Sequence, residues 1–201
     1  MDKKVSRQFF NKEASNWDET ASTNDVEKLR ALAERLPIPK HASVLDVGTG
    51  TGVFVPYIRS KIEVSGQVVC LDFAYEMLVE AQKKNHDDRI HYVCAEIETV
   101  RFSDQKFNAV VCYSTFPHFH DKPLALGNIF DLLSPGGIVF ICHTASREFI
   151  NNIHKNHPPF ADHLIPEKVE MTSLLEQSGF SEISITEDSA YYLAQATKFS
   201  N

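Results

Sequence analysis

Apolar residues recur along the middle of this chain in five short runs, separated by stretches of helical periodicity. The runs are Ser43 to Val47, Gln67 to Leu71, Ile90 to Cys94, Phe107 to Cys112, and Ile138 to Cys142 or His143. Each reads as a strand. Helices are expected from Gly52 to Lys61 and from Lys122 to Leu133. Strand and helix signals that alternate in this way predict a largely parallel sheet with helices on both faces. Two helical candidates precede the first strand. One covers 6–17, with Phe9, Phe10, Ala14 and Trp17 at helical spacing; the other runs from Asp25 to Leu36, with Asn24 as its cap and Pro37 closing it. Beyond His143 the pattern changes. Ser146 can cap a helix through Lys155, and a loop with two prolines follows from His157 to His163. Pro166 can open a helix to Gln177 that Gly179 ends. Two β-rich runs, Ser181 to Thr186 and Ala190 to Lys198, close the chain.

The glycine-rich stretch after the first strand adds candidate chemistry. It reads Val44-Leu45-Asp46-Val47-Gly48-Thr49-Gly50-Thr51-Gly52. Alternate glycines leave bare backbone, so a ligand can lie against main-chain N–H groups at the positive end of the following helix. A dinucleotide fingerprint needs a third glycine where this chain has Val53. What fits is D-x-G-x-G-x-G, with Asp46 at the mouth of the turn. Asp72 ends the second strand about 20 residues on, where a carboxylate can accept hydrogen bonds from a ribose diol. A dehydrogenase would use the same geometry.

These residues resemble motif I of the class I S-adenosylmethionine-dependent methyltransferases. The resemblance covers residues 43 to 142 well and the ends loosely. It implies a Rossmann-like, doubly wound α/β fold of three layers. The seven strands would run in the order 3-2-1-4-5-7-6, with the last strand antiparallel. It implies one domain, with 1–40 as an N-terminal helical lid, 43–142 as the cofactor-binding core, and 143–201 as substrate-side helices and a C-terminal hairpin. The cofactor would be S-adenosyl-L-methionine. Asp46, Gly48, Thr49, Gly50 and Gly52 would hold its methionine end and Asp72 its ribose. Phe73 and Met77, in a stretch similar to the family's D-x-S-x-x-M-L, would pack on the adenine. Glu96 would bond the adenine amino group and the Ile97 N–H a ring nitrogen. Tyr113 opens the exit of strand four, the floor beneath the reactive methyl. Trp17, in the lid, is either a cleft contact or a core anchor. Ser134-Pro135-Gly136-Gly137 is similar to the family's turn before strand five. The chain departs from the family pattern at Cys94, often an acid, and at Asn108, often Asp. It also departs in a run to Phe102 about two residues longer than usual.

Composition narrows the partners. At 201 residues, 43% hydrophobic and 23% charged, the chain has the make-up of a globular protein able to bury a core. Its net charge is −7 and no Lys/Arg run is present, so a nucleic-acid partner is not expected and a small-molecule methyl acceptor is. No stretch has the length of a membrane span, and the N-terminus lacks the apolar run of a signal peptide. Cys70, Cys94, Cys112 and Cys142 sit in strand-like runs without C-x-x-C spacing, which predicts reduced, buried, cytoplasmic thiols.

Methyl transfer from a sulfonium needs alignment and, for some acceptors, removal of a proton. The histidines are the unusual feature, nine in all. His143, at the end of strand five, and His118, at the exit of strand four, are expected to face one cleft. There one of them would take a proton from the acceptor; the bland alternative is that both are ordinary loop and strand-end residues. A competing reading gives His143, His154 and His163 a metal. A straight helix from Ser146 to Lys155 would separate its ends by roughly 15 Å, which argues against that. Two further readings stay open: a non-catalytic nucleoside-binding partner subunit, and a nicotinamide-dependent oxidoreductase, which the glycine spacing disfavours.

Overall fold

The computed structural model describes residues 3–20, 25–103, 106–158 and 160–199. Its centre is a seven-stranded sheet in the order β3-β2-β1-β4-β5-β7-β6, the order the resemblance implied. The strands are β1 (Ser43–Val47), β2 (Gln67–Asp72), β3 (Ile90–Cys94), β4 (Phe107–Tyr113), β5 (Leu133–His143), β6 (Ser181–Glu187) and β7 (Tyr192–Thr197). The first five pair in parallel; β7 inserts antiparallel between β5 and β6.

The three layers follow from the alternation of side chains along each strand. Leu45 and Val47 of β1, with Leu71, Val110 and Ile141, face one apolar layer. That layer is completed by α6 (Lys122–Leu132), α7 (Arg147–Lys155) and α8 (Lys168–Gln177) through Ile129, Ile150 and Met171. Val44, Val68, Val111 and Phe140 face the other way, onto α3 (Val26–Glu34) and α4 (Val55–Lys61). Burial on both faces is why the central strands are near-continuously apolar. The remaining helix of the βα series, α5 (Tyr75–Lys84), carries buried Met77 and Ala81.

Several boundaries depart from expectation, each for a local reason. The N-terminal helix is not continuous over 6–17. It is α1 (Lys3–Glu13), a 3₁₀ turn at Ala14–Asn16, and the single turn α2 (Trp17–Thr20). Asn24 lies outside the described residues; Asp25 caps α3, its carboxylate accepting from the N–H groups of Glu27 at 3.0 Å and Lys28 at 3.2 Å. The helix expected from Gly52 begins only at Val55, because Gly52 has φ +76°, outside the right-handed helical range. Cys94 is exposed, unlike the other three cysteines, because β3 is an edge strand.

The loop between α7 and α8 is tied down by one side chain. Buried Asn151 donates to the Ile165 carbonyl at 3.0 Å and accepts from the Ile165 N–H at 2.8 Å. Asn151→Leu would keep the volume but strand both backbone groups. It should lower the unfolding free energy by about 1–3 kcal/mol, read by denaturant titration. A variant as stable as the parent would show that this loop is held elsewhere.

Candidate functional site

The glycine turn, the end of β2 and the exit of β4 meet at the carboxyl edge of the sheet. Asp72 is the hinge pin. One of its oxygens accepts from the Gly50 N–H at 2.9 Å and the other from the Ala74 N–H at 2.8 Å. The Gly48 and Thr49 N–H groups both donate to the Leu71 carbonyl, at 2.7 and 3.1 Å. The turn is thus laced to the neighbouring strand. Burial pushes the Asp72 carboxyl up to about 6, against the pull of the Ala74 and Gly50 N–H groups. Burial pushes Asp46 up to about 7; the Thr49 hydroxyl bond opposes this and the Asp72 charge adds to it.

The three glycines have three different jobs. A Cβ on Gly48, at φ +65°, would overlap the Thr115 side chain. A Cβ on Gly52 would stand 2.6 Å from Asn85 Nδ2 and 3.0 Å from Ala81, so this glycine lets α5 approach. At Gly50, φ +55°, the nearest atom to a Cβ would be the Gly48 carbonyl oxygen at 4.0 Å. Gly50 therefore faces open space, and it alone is the bare backbone of the cradle. Gly48 lines both cavities, as expected of a ligand contact, while its missing side chain also makes room for Thr115; Gly52 lines neither cavity.

Two adjoining cavities share Gly48, Asp72, Phe73, Thr115 and His118 as their common wall. The larger extends over Thr49, Gly50, Met77, Tyr113 and Ser114; the smaller over Ala95, Glu96, Ile97 and His163. Tyr113 stacks on Phe54 with centroids 4.6 Å apart and bonds Thr144 through its hydroxyl at 3.1 Å, so its ring is fixed. Ser114 follows at φ +51°, a strained conformation for a residue with a side chain.

The N-terminal segment roofs the cleft. Phe10 and Trp17 line the larger cavity and meet edge to face at 5.4 Å. Lys3 and Arg7 reach Glu96 at 2.8 and 2.5 Å. Asn11 accepts from the Glu76 N–H at 2.9 Å, and Asp18 takes the Thr51 hydroxyl at 2.5 Å and pairs with Lys84. Glu96, expected to read an adenine amino group, has both oxygens engaged by lid cations here.

Other expected residues also fall elsewhere. Asp46 lines neither cavity; it lies 2% exposed behind the turn, accepting from Thr49. His143 lines neither as well. It is 1% exposed, both ring nitrogens lack a partner among the described residues, and its ring packs edge to face on Tyr192. The cause is register: β7 pairs with β5 as far as His143 opposite Tyr192, so the strand end is covered. Burial pushes its imidazole down to about 3.

His118 does reach the cleft. It ends a 3₁₀ turn anchored by fully buried Phe116 and lines both cavities. His163 approaches it, Nδ1 to Nδ1 at 3.0 Å, and the His154 ring lies 4.9 Å away. The reading that gave His143, His154 and His163 a metal does not match this arrangement. His154 spends Nδ1 on the His163 carbonyl, and among the described residues no three His, Cys, Asp or Glu side chains are grouped to hold a metal ion. Phe10, Ser6, Ser114, Thr115 and Glu98 are lining residues that sequence reasoning missed.

A doubly wound sheet with a glycine turn and an acid at the neighbouring strand end, both at the switch point, defines a nucleotide-binding α/β protein. Residues 45–141 match the model of the family described as methyltransferase domain, which together with the relatives and structures below supports a class I S-adenosylmethionine-dependent methyltransferase. The chain is 28% identical over 134 residues to the ubiquinone/menaquinone biosynthesis C-methyltransferase UbiE of Vibrio campbellii, covering 65% of this chain and 51% of that one. It is 24% identical over 155 residues to the malonyl-[acyl-carrier protein] O-methyltransferase of Bacillus cytotoxicus, covering 74% and 53%. The chain thus spans about half the length of these curated relatives. In fold it is similar, at TM-score 0.78 and 17% identity over 95% of this chain and 98% of the other, to a chain of the complex between the Haloferax volcanii Trm112 methyltransferase activator and a methyltransferase. The cofactor of the class is S-adenosyl-L-methionine. The open cradle at Gly50 and the spare lone pairs of Asp72 fit such a group.

Two outcomes follow. Gly50→Ala should keep the fold at a cost of about 1–2 kcal/mol for a left-handed Ala, yet lose affinity for S-adenosylhomocysteine in calorimetry. Gly48→Ala should be the less stable of the two in thermal melts, because Thr115 must move. Equal melts would refute the division of labour drawn above.

The second outcome concerns pH. Asp46 and Asp72 ionise near 3.8 when unfolded but near 7 and 6 when folded. Between these limits the folded protein holds protons the unfolded chain has released, so their contribution to stability falls as pH rises from about 4 to 7. Asp46→Asn should flatten that decline in urea unfolding measured across the range; an unchanged slope would show that Asp46 titrates normally.

Proposed function

We propose that this chain is an S-adenosylmethionine-dependent methyltransferase that acts on a small acceptor. One observation carries the reading: a roofed cleft at the switch point, built on the bare backbone of Gly50 and the doubly anchored carboxylate of Asp72. When bound, the cofactor supplies a methyl on an already activated sulfonium, so the protein's task is alignment.

The Asp72 carboxylate is held by the Gly50 and Ala74 N–H groups, with the Phe73 N–H also drawn to it, and its remaining lone-pair capacity can take a ribose hydroxyl. Phe73 and Met77 offer an apolar wall for a purine. Glu96 could take part in reading that base only after yielding Lys3 or Arg7, so the lid and the nucleoside compete for one carboxylate. Tyr113 and Ser114 would floor the methyl position.

The acceptor side is aromatic and poor in charge. Phe10, Trp17, Tyr113 and His118 line the larger cavity, and Asp72 is the one acid or base besides His118 among its lining residues. With no Lys or Arg on that wall, a phosphate backbone finds no counter-charge there; a small neutral or cationic acceptor does fit. His118 is the group placed to accept a proton from it. The names of the relatives differ in the methylated atom, carbon in one and oxygen in the other, and the acceptor atom here is left to experiment.

Calorimetric titration with S-adenosylmethionine should show one site. Asp72→Ala should weaken it by about 1.5–3 kcal/mol, the range for hydrogen bonds to a charged group. Parent-like affinity in that variant would sink the assignment.

A further inference from the structure

His118 does not stand alone at the cleft wall. Its Nδ1 meets His163 Nδ1 at 3.0 Å, and two ring nitrogens at that distance must share one proton. Its other nitrogen, Nε2, has no hydrogen-bond partner among the described residues and is not one of the sealed, unpartnered buried atoms, so it opens onto the cleft. His163 is itself held on both sides by α7. His154 Nδ1 lies against the His163 carbonyl oxygen and must donate to it, since a carbonyl only accepts. Asn151, one turn earlier on the same helix, clamps Ile165. Two polar residues three apart on one helix face thus fix the backbone on either side of residue 164.

We propose that His163 is the positioning partner of His118 and carries the acceptor's proton from the cleft to solvent. This rests on the reading that His118 is the group that receives that proton. In the resting pair His118 Nδ1–H donates to the lone pair of His163 Nδ1, which leaves a lone pair on His118 Nε2. As the acceptor's O–H, N–H or S–H bond breaks, its electron pair stays on the acceptor and a His118 Nε2–H bond forms. The His118 Nδ1–H bond then breaks as a His163 Nδ1–H bond forms. His163 Nε2–H yields its proton to water. Atoms and charge balance: the acceptor loses one proton, the solvent gains one, and both rings end neutral with their tautomers exchanged. Proton exchange with water in the emptied cleft resets them. The acceptor class implied is one whose nucleophilic atom carries a proton that must leave.

His118 is enclosed by Phe10, Phe160 and the rings of His154 and His163, with His143 and Lys122 the other charges acting on it. Burial holds its imidazole well below the usual range. His163 is more open, with Lys122, His154 and Asp162 about it, and burial lowers it to about 4. Both rings are thus biased toward the uncharged forms in which the relay begins and ends.

The test is heteronuclear NMR on the full chain labelled with ¹⁵N-histidine. His118 should show a protonated Nδ1 and a bare Nε2, with a scalar coupling across the hydrogen bond to His163 Nδ1. His163→Asn, which keeps an acceptor near the Nδ1 position, should retain the His118 tautomer. His163→Leu should mix the tautomers and move the His118 titration midpoint. A parent His118 protonated on Nε2, or a His163→Leu spectrum in which His118 is unchanged, would overturn the relay. If His163→Leu fails to fold, the parent coupling and the Asn variant decide alone: an absent coupling or a lost tautomer in Asn overturns it. S-adenosylhomocysteine is titrated into the same samples. Failure of the parent to bind it would overturn the methyltransferase reading, whatever the rings show.

Discussion

The pair of bonds that Asp72 accepts from Gly50 and Ala74 is the constraint on which the site depends. A turn with three residues at positive φ has little reason to keep one shape. Its order comes from outside. Asp72 holds its middle, the Leu71 carbonyl holds its first two N–H groups, and Thr115 fills the space beside Gly48. Two of these anchors lie on β2 and the third just past the end of β4, and both strands run parallel to β1. The parallel register, Val47 beside Leu71 and Asp46 beside Val111, brings them to the turn.

The roof is attached differently. Its contacts with the core are ion pairs and polar bonds at the surface, Lys3 and Arg7 to Glu96 and Asp18 to Thr51 and Lys84, over a buried apolar cluster in which Phe10 and Ala14 meet Ala74, Met77 and Phe160. Partly exposed pairs of this kind contribute on the order of 0–1 kcal/mol each. The polar layer is thus the weak part of the attachment, and the apolar cluster beneath it is the stronger part.

Much of this was legible in the sequence because strand ends and glycine spacing leave local marks. Five of the seven strands began and ended within one residue of expectation, and Ser146 caps α7 as expected. What failed were inferences about which way a strand-end residue looks. Asp46 and His143 both sit at the edge that faces ligands, yet one is covered by the turn it supports and the other by β7. Coverage depends on neighbours distant in sequence, and periodicity holds no record of them. His163 was visible as a loop histidine and as one arm of the metal reading, not as the partner of His118. The signal that could have singled it out lay on α7: Asn151 and His154 share one face of an amphipathic helix, and buried polar groups there require a backbone to bond.

The charges in the cleft make one further connection between stability and function. Asp46 and Asp72 are held near the neutral range, and the imidazoles of His118, His154 and His163 are biased toward their uncharged forms, all chiefly by burial. The larger cavity thus presents one acid, Asp72, whose ionisation burial opposes, and one imidazole, His118, biased to its uncharged form. This condition is costly for the acids above pH 7, where they ionise without a cation beside them. A positively charged ligand removes that cost, and it would do so for Asp72, which faces the cavity, more than for Asp46, which does not. The same desolvation that weakens the empty protein is then available to favour a cationic nucleoside, and the imidazole side of the cleft, already uncharged, offers that cation no repulsion.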